Sequence, residues 1–503
     1  MRRSLSFVVS LFAAGPLMAA TYFASPSGSG TTCSQASPCS LSSCLGRVAA
    51  DGDICSAASG VYTNPPNMTA ARNCGTGAGM CTLKSATPLG AQLVFDSSGG
   101  DTGDWLRVSG NNWVVDGFYV KLNKQKRFTR VTAANGFSWK NNRVEVIPGI
   151  GPEVLWTSGT DNVSVIGNWV HHYPGCQNGG GAYGGCGTHS RCDFDTTNGD
   201  SLLFDGDGTT TATTGLLISQ NDYGHWQNPL RIHNFVNVTV SRNKCTNATN
   251  HGCVEADDVS GLVMENNVAD IDTSPGCDDE ILQSALFDTY CFSDVILRNN
   301  TSVGHARGWE QQLDDLEPNP GADKRCTDGI LPEVGSDGTW YDYLRIYNNI
   351  IYDGKPSSGA AGIILNTQYA GSTPSPCCFS DYNLINLPSG GDVGIDSGVF
   401  YTTLSQWQGH GKDPNSRGAA PQFVSYCNTI GASGCHDYRA ASGTAPQVNA
   451  GMSTGSLPCP AVDYDGNPRT DGLCDIGAYE FQGGGQSGTP PGTVSNLNRT
   501  DVK

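Results

Sequence analysis

A short pattern of apolar and polar positions recurs along the chain. In Val163-Ser-Val-Ile-Gly-Asn168 the first and third positions are apolar and the sixth is Asn. Successive side chains of a β-strand point to opposite faces, so the pattern predicts a short strand with one buried face. The Asn suits a turn after the strand, because Asn tolerates the left-handed backbone conformation and its side chain caps turns. Copies of the pattern end at Asn142, Asn168, Asn221, Asn243, Asn267, Asn300 and Asn349.

The spacing of these Asn residues predicts a coiled repeat. Successive intervals are 26, 53, 22, 24, 33 and 49 residues. We interpret the short intervals as single coils of a solenoid and the long ones as coils that carry loop insertions. A propeller blade needs ~40–45 residues, which the shortest intervals do not allow. The predicted fold is all-β: a single-stranded, right-handed parallel β-helix with three short strands per coil and stacked inward aliphatic side chains.

The composition agrees with an all-β fold and excludes one class of function. Charged residues make up 15% of the chain, against ~25% in typical domains, and exposed helix faces usually carry many charges. The chain has 29 basic and 47 acidic residues, a formal net charge of −18. Nucleic-acid binding requires a basic surface, so this function is excluded.

The N-terminal segment predicts export. Residues 1–20 combine Arg2 and Arg3, an apolar run and a small-residue end, which is the organisation of a secretory signal peptide. No later apolar run reaches the ~18 residues needed to span a membrane. We therefore expect a secreted protein without a membrane span, and we expect it to be a monomer.

The cysteines point to an oxidising compartment. All 20 lie after the predicted signal peptide, and their number is even, as expected of disulfides in a secreted protein. We predict at least six disulfides. The cysteines Cys33, Cys39, Cys44 and Cys55 are expected to pair among the N-terminal cysteines and to staple a cap that contains a helix near residues 40–50.

Both ends of the mature chain carry distinctive motifs. Thr21-Tyr-Phe-Ala-Ser-Pro-Ser-Gly28 and Asp51-Gly-Asp-Ile54 stand near the start, and Asp463-Tyr-Asp-Gly-Asn-Pro-Arg469 and Cys474-Asp-Ile-Gly-Ala-Tyr-Glu480 near the end. These motifs resemble those of secreted right-handed β-helix proteins, a group that includes polysaccharide lyases of the pectate lyase and chondroitinase B/alginate lyase type. We divide the chain into a signal peptide (1–20), an N-terminal cap with the first coil (21–90), the β-helix (91–390), a C-terminal closing region (391–482) and a flexible Gly-, Pro- and Ser-rich tail (483–503).

The strands that precede the Asn pattern carry candidate chemistry. They read Leu230-Arg-Ile-His233, Val254-Glu-Ala-Asp257 and Phe287-Asp-Thr-Tyr290. If their first and third residues point inward, the other residues form outward columns, with neighbouring strands ~4.7–4.9 Å apart. The predicted outward patch contains Arg231, Glu255 and Asp288 in one column and His233, Asp257 and Tyr290 in the next.

The family resemblance implies roles for these residues. Lytic cleavage of a uronic-acid polymer requires that the sugar carboxylate be neutralised before a proton is abstracted. Arg231 would neutralise the carboxylate, and His233 or Tyr290 would move the proton. The columns contain no Lys, which departs from the usual family site. The remaining expected members are Asp288 as a catalytic carboxylate, Arg307, Trp226 and Trp309 as sugar-binding residues, and Glu255, Asp257, Asp205 and Asp207 as ligands of a calcium ion.

Two other functions remain open at this point. Clustered carboxylates beside a His and an Arg also suit a β-helical glycoside hydrolase. A non-catalytic exported β-helix that binds glycans, such as an adhesin, would carry the same terminal motifs. In that case the charged columns would be a ladder of exposed ion pairs, each of small energetic value.

Overall fold

The structure is a computed structural model. It describes a set of ranges that begins at residue 19 and ends at residue 483: 19–96, 103–122, 126–146, 153–172, 200–206, 213–224, 228–246, 253–271, 285–289, 292–304, 307–311, 344–352, 361–365, 378–387, 391–396, 399–426, 436–453, 458–469 and 472–483.

Parallel strands dominate these residues and form three long sheets. Sheet 1 contains β4 (Met68–Ala70), β7 (Leu106–Val108), β10 (Thr129–Thr132), β13 (Leu155–Ser158), β16 (Asp200–Asp205), β23 (Ala285–Thr289), β26 (Arg307–Gln311), β29 (Ala361–Leu365), β32 (Asp392–Asp396) and the antiparallel β33 (Val399–Tyr401). Sheet 2 contains β1 (Thr21–Ala24), β2 (Ile54–Ala57), β5 (Cys81–Ser85), β8 (Trp113–Asp116), β11 (Asn135–Lys140), β14 (Asp161–Ile166), β17 (Thr213–Ser219), β24 (Phe292–Arg298), β27 (Leu344–Tyr347) and β30 (Cys378–Asp381).

Two long strands, β19 (Asn228–Ser241) and β21 (Val254–Glu265), belong to sheet 1 in their first part and to sheet 2 in their last part. Sheet 3 contains β3 (Gly60–Thr63), β6 (Ala91–Phe95), β9 (Tyr119–Leu122), β12 (Arg143–Val146), β15 (Trp169–His172), β18 (Asp222–Gly224), β20 (Lys244–Thr246), β22 (Val268–Ile271), β25 (Thr301–Gly304), β28 (Ile350–Tyr352) and β31 (Leu384–Asn386).

The chain visits the three sheets in turn and pairs each strand with its counterpart one coil away. The strand β11 lies between β8 and β14, and β12 lies between β9 and β15, all in parallel register. Parallel connections of this kind are right-handed in almost all proteins. The predicted all-β parallel β-helix with three strands per coil is confirmed.

Alternation along each strand builds the core, as the sequence pattern predicted. In β14, Val163 and Val165 are buried, whereas the intervening Ser164 is partly exposed. Register pairs Val163 with Leu216 and Val165 with Ile218 on the next coil. Inward aliphatic side chains therefore stack in files along the axis.

The predicted Asn residues form one buried file, here called the Asn column. On each coil the side-chain oxygen accepts two hydrogen bonds from the preceding Asn: Asn243 Oδ1 accepts from the backbone nitrogen (3.0 Å) and from Nδ2 (2.9 Å) of Asn221. Nδ2 of Asn221 also donates to the carbonyl oxygen of Val165 at 2.9 Å. The equivalent turn positions are therefore confirmed, and the column extends to Asn383, whose Oδ1 accepts from the backbone nitrogen of Asn349 at 2.9 Å.

The left-handed residue of these turns is not the one that the sequence pattern suggested. Positive φ angles occur one position earlier, at Gln220 (60°), Arg242 (58°) and Asn266 (54°), and the column residues themselves are not left-handed. The physical reason is the role of the column side chain, which is aimed inward to hydrogen-bond the next coil. The preceding residue makes the turn and points its side chain outward.

The N-terminal cap has the predicted disulfides. Cys33 pairs with Cys39, and Cys44 pairs with Cys55. The expected helix is short: α1 spans Leu41–Leu45, and the side chain of Ser40 caps it by accepting from the backbone nitrogen of Ser43. Three further disulfides lie in the described residues and are Cys74–Cys81, Cys245–Cys253 and Cys459–Cys474. The expected total of at least six stays a prediction.

The first coil lies within the N-terminal region that ends at residue 90, and its strands pair with those of the next coil. The strand β2 already pairs in parallel with β5, and β3 pairs with β6. At the other end, α2 (Leu404–Gly409) covers the core with the buried side chain of Trp407. A Cβ atom added at Gly394 would lie 2.5 Å from the Trp407 ring, so only glycine allows this close approach.

The C-terminal segment lies along the flank of the coils, against the outer side of the Asn column. Side chains of the left-handed turn residues hold it through its carbonyl oxygens. Arg242 Nε donates to Tyr464 at 2.9 Å, and Asn348 Nδ2 donates to Met452 at 2.9 Å. The antiparallel strands β34 (Phe423–Tyr426) and β35 (His436–Ala440) complete this region. Within the described ranges, no helix has the length and apolar character needed to cross a bilayer.

Candidate active site

The outward columns of sheet 1 have the register that the sequence predicted. Arg231 lies opposite Glu255, and Glu255 lies opposite Asp288 on the following strand. His233 lies opposite Asp257, one column further along β19. On the inner face, Leu230, Ile232, Val254 and Ala256 are buried.

Arg231 is held by a buried carboxylate. Its Nε lies 3.4 Å from Oε1 of Glu255. The Arg231 side chain is 38% exposed, whereas the Glu255 side chain is only 4% exposed, although it points away from the core. Neighbouring groups therefore cover Glu255, and the buried negative charge fixes the guanidinium at the surface.

His233 is held from the opposite side, by the preceding coil. Its Nδ1 lies 3.2 Å from Oδ1 of Asp205, the residue that faces it across the β16–β19 pair. Nδ2 of Asn234 is also 3.2 Å from this nitrogen, and the Asn234 amide oxygen has no hydrogen-bond partner among the described residues, so a half-turn of the amide presents an acceptor to Nδ1. A carboxylate at Nδ1 favours the tautomer that carries its hydrogen there, which leaves Nε2 as the proton acceptor.

Arg231 and His233 thus form a fixed pair on one strand. They stand two positions apart on β19, so their side chains share the outward face. Each is oriented by a carboxylate from a different neighbouring strand. The arrangement presents one permanent cation and one proton acceptor, side by side, to whatever lies on this face.

Two of the four carboxylates expected to hold calcium are engaged by other groups. Calcium takes six to eight oxygen ligands, but the carboxylates of Glu255 and Asp205 already lie against Arg231 and His233. Within the described part of the chain, no three His, Cys, Asp or Glu side chains are close enough together to hold a metal ion. Calcium binding by Glu255, Asp257, Asp205 and Asp207 stays a prediction, and no chemical step below depends on it.

Several predicted site residues lie wholly or partly outside the described residues. Register places Arg307 beside Ala285, and Trp309 beside Phe287, on β26, two strands beyond the strand of Glu255. For these residues, and for Asp257 and Asp288, the structure describes the strand alone. The predicted residues Tyr290, Trp226 and Asp207 fall outside the described residues altogether.

Sequence reasoning missed an open groove on sheet 2. It has a volume of about 650 Å³ and is lined mainly by Ser, Thr, Asn and Gly residues, with Lys84, Asp116 and Lys140 as its charged groups. Lys140 Nζ lies 3.7 Å from Asp116 Oδ2. Lys140 is the fourth residue of one Asn pattern copy, so extending the column analysis to sheet 2 would have found it. The described lining of the groove offers two lysines, one of them paired with Asp116, but no histidine. Sheet 1 has a permanent cation and an oriented proton acceptor side by side, and we therefore place the candidate chemistry there.

No family model matches the sequence, and no curated protein matches it. Among solved structures, the chain is similar to pectate lyase Pel9A, with 14% identity, a TM-score of 0.47 and coverage of 92% of this chain and 96% of that chain. A PL6 alginate lyase in complex with a trisaccharide has 11% identity, a TM-score of 0.40 and coverage of 83% and 92%. A rhamnogalacturonan lyase has 12% identity, a TM-score of 0.37 and coverage of 81% and 91%. The class of fold, a parallel β-helix, rests on the strand register of this chain.

Proposed function

We propose that the protein is an exported enzyme that cleaves a uronic-acid-containing polysaccharide by β-elimination. The observation that carries this proposal is the adjacent pair of Arg231 and His233, each oriented by its own carboxylate. Export is supported by the five disulfides of the described residues, because such bonds persist in oxidising compartments.

Arg231 prepares the substrate. A uronate carries a carboxylate next to C5, and its negative charge opposes removal of the C5 proton. A guanidinium that forms charge-assisted hydrogen bonds to this carboxylate lets it accept the charge that develops in the transition state. Glu255 keeps the guanidinium in place before substrate binds, so little reorganisation accompanies the reaction.

His233 carries out the proton transfer. Neutral His233 accepts the C5 proton at Nε2, and Asp205 stabilises the imidazolium that results. The C5–H electron pair forms the C4=C5 double bond, and the bond from C4 to the bridging oxygen breaks. That oxygen leaves with the electron pair and takes a proton, for which Tyr290 is the proposed donor. The products are an unsaturated uronate end and a new reducing end.

The direct test is a panel of acidic polysaccharides that includes polygalacturonate and alginate. Elimination creates a conjugated double bond that absorbs in the ultraviolet, in step with new reducing ends. We expect both signals to rise together on at least one polymer of the panel. The same assay on Arg231→Lys, which keeps the charge but loses the fork of donors, is expected to be much slower.

Other results of this assay would support a different function. New reducing ends without ultraviolet absorbance would mean hydrolysis, the alternative that clustered carboxylates suggest. Binding without either signal would mean a non-catalytic glycan-binding protein. The described carboxylates speak against hydrolysis, because Glu255 and Asp205 are each engaged by a cationic or ring nitrogen partner.

A further inference from the structure

The outward column that contains Arg231 continues toward the N terminus. Register links Arg107 to Arg130, Arg130 to Trp156, Trp156 to Leu203 and Leu203 to Arg231. These five side chains therefore follow one another on the same face of sheet 1. Three strand spacings separate Arg130 from Arg231, which is ~14 Å.

Three arginines at the far end of this column share one buried carboxylate. Asp104 Oδ2 accepts from Arg107 Nε at 2.7 Å, and Asp104 Oδ1 accepts from Arg127 at 2.7 Å. The third, Arg130, approaches the same carboxylate only to 3.9 Å. Glu153 pairs with Arg127 as well. Three guanidinium groups against two carboxylates leave one positive charge in excess, in a chain whose net charge is −18.

Of these three arginines, Arg130 lies nearest the candidate active site and makes the fewest hydrogen bonds. The Arg130 side chain is 32% exposed, and it has no hydrogen bond to any described residue. Its guanidinium carbon lies 4.0 Å from the centre of the Trp156 ring. Stacking fixes the plane of a guanidinium without using its N–H donors. Arg107 is 62% exposed and bonds Asp104 through Nε, which leaves its terminal nitrogens toward solvent.

The positive charges of this cluster repel one another, which favours the binding of an anion. Burial lowers the pKa of Arg127, and the positive charges of Arg130 and Arg107 lower it further, against the opposing effect of Asp104. A bound anion would relieve this repulsion. The partly exposed Leu203 provides apolar surface between this cluster and Arg231, of the kind that the C–H faces of sugar rings contact.

We propose that Arg107, Arg130 and Trp156 form a second subsite that binds an anionic sugar unit of the same polymer, several units away from the one at Arg231. The inference rests on the proposed function for its polymer and deepens it. The ligand chemistry is a carboxylate or a sulfate on a hexose ring, gripped by the donor fork of Arg130 with Trp156 beneath it. The subsite makes a long acidic chain bind better than a short one.

A matched arginine on another face provides the control. Arg143 on sheet 3 also stacks on a tryptophan, with its guanidinium carbon 4.4 Å from the Trp169 ring centre. Unlike Arg130, it is fully engaged: its Nε and a terminal nitrogen both donate to Oε1 of Glu145, at 3.0 and 2.7 Å. A structural role for stacked arginines would affect both positions alike, whereas a binding role singles out Arg130.

The experiment measures binding by affinity electrophoresis, with polygalacturonate, alginate, dextran sulfate and neutral dextran as the probes. The protein carries His233→Ala, so that cleavage does not consume the polymer. Arg130→Gln is expected to bind at least one carboxylated probe about tenfold more weakly, as expected for one charge-assisted hydrogen bond. Arg143→Gln is expected to bind like the parent, and neutral dextran is expected not to bind.

The probes separate the two anion sources. A loss on the carboxylated probes alone assigns the subsite to uronates, and a loss that includes dextran sulfate assigns it to anionic sugars in general. Equal binding by Arg130→Gln and Arg143→Gln, or no binding of the parent to any anionic probe, overturns the proposal. Arg107→Gln, at an exposed position, repeats the test if Arg130→Gln denatures at a lower temperature.

The proposed subsite and the proposed lyase activity can be disproved independently of each other. Weaker binding by Arg130→Gln in a protein that produces no unsaturated ends would retain the subsite and remove the lyase. Elimination by the His233 parent, together with unchanged binding by Arg130→Gln and Arg107→Gln, would retain the lyase and remove the subsite.

Discussion

The Asn column and the outward column of sheet 1 run along the same coils, yet they are built in opposite ways. Each coil of the Asn column contributes the same residue, buried and bonded to its counterpart on the next coil. The outward column changes at every step, from Arg130 through Trp156 and Leu203 to Arg231 and Glu255. Its members are partly exposed, apart from Glu255.

This difference distinguishes residues that stabilise the fold from residues that are candidates for binding or catalysis. A side chain that must hydrogen-bond its own copy one coil away can only be one residue type, so repetition marks a structural role. A surface that recognises one ligand needs different groups at different points, so variation among chemically active residues marks a candidate site. The following variants would break or sharpen this contrast.

The largest effect is expected from the Asn column. Asn243→Ala removes the acceptor for two donors of Asn221 and the donor to the carbonyl oxygen of Ile218. Each buried group left unsatisfied costs about 1–3 kcal/mol, so we expect a loss of about 4 kcal/mol or more in the free energy of unfolding. Chemical denaturation measures it.

A matched control uses an exposed Asn on β19, the strand that precedes Asn243. Asn237 has a φ of 60° and a single side-chain bond to Thr214, at 3.3 Å. Glycine adopts this φ readily, so Asn237→Gly should change the free energy of unfolding by less than about 1 kcal/mol. If Asn243→Ala is as mild as this control, the column does not stabilise the fold as argued.

The sequence predicted the repeat well because its signal is periodic. The apolar alternation and the spacing of Asn168, Asn221 and Asn243 gave the strand positions, the coil and the register of Arg231 against Glu255. It did not reveal which turn residue is left-handed, because that depends on where the Asn side chain points. The sequence also could not show that the Glu255 side chain is buried, because the residues that cover it are distant in the chain. Arg130 was missed for the same reason, because its contacts with Asp104 and Trp156 join separate parts of the chain.

The next effect concerns the ion pair of Arg231 and Glu255. Because Glu255 is buried, Arg231→Ala removes the guanidinium that compensates a buried carboxylate, and we expect a loss of about 3 kcal/mol in the free energy of unfolding. The value is at the lower end for buried pairs, since Arg231 is partly exposed. Arg231→Ala combined with Glu255→Gln should recover most of the stability and none of the activity. Recovery of activity in the double variant would show that Arg231 has no chemical role.

A smaller effect comes from the segment against the outer side of the Asn column. Burial raises the pKa of Asp465 to about 6, and the nearby charge of Asp463 adds to the rise. Between about pH 4 and 6 the folded state holds a proton that the unfolded state releases, so stability falls as the pH rises through this window. Asp465→Asn mimics the protonated form and should stabilise the protein above pH 6 by about 2 kcal/mol.

The control for this pH effect is an exposed carboxylate, Asp51, whose side chain is 59% exposed. Asp51→Asn makes the same chemical change at the surface and is measured beside Asp465→Asn. If Asp465→Asn leaves the pH dependence of the denaturation midpoint as it is in the parent, then Asp465 is not the group responsible for it.

The most direct test of the whole account is His233→Ala, measured for elimination and for stability in the same preparation. Its partner Asp205 is partly exposed and is not left buried by the change. On a polymer that the parent cleaves, we predict a fall in turnover of ~10²-fold or more, partial rescue by added imidazole, and a free energy of unfolding within about 0.5 kcal/mol of the parent. Full activity in His233→Ala, with the fold intact, would contradict the assignment of the chemistry to this face.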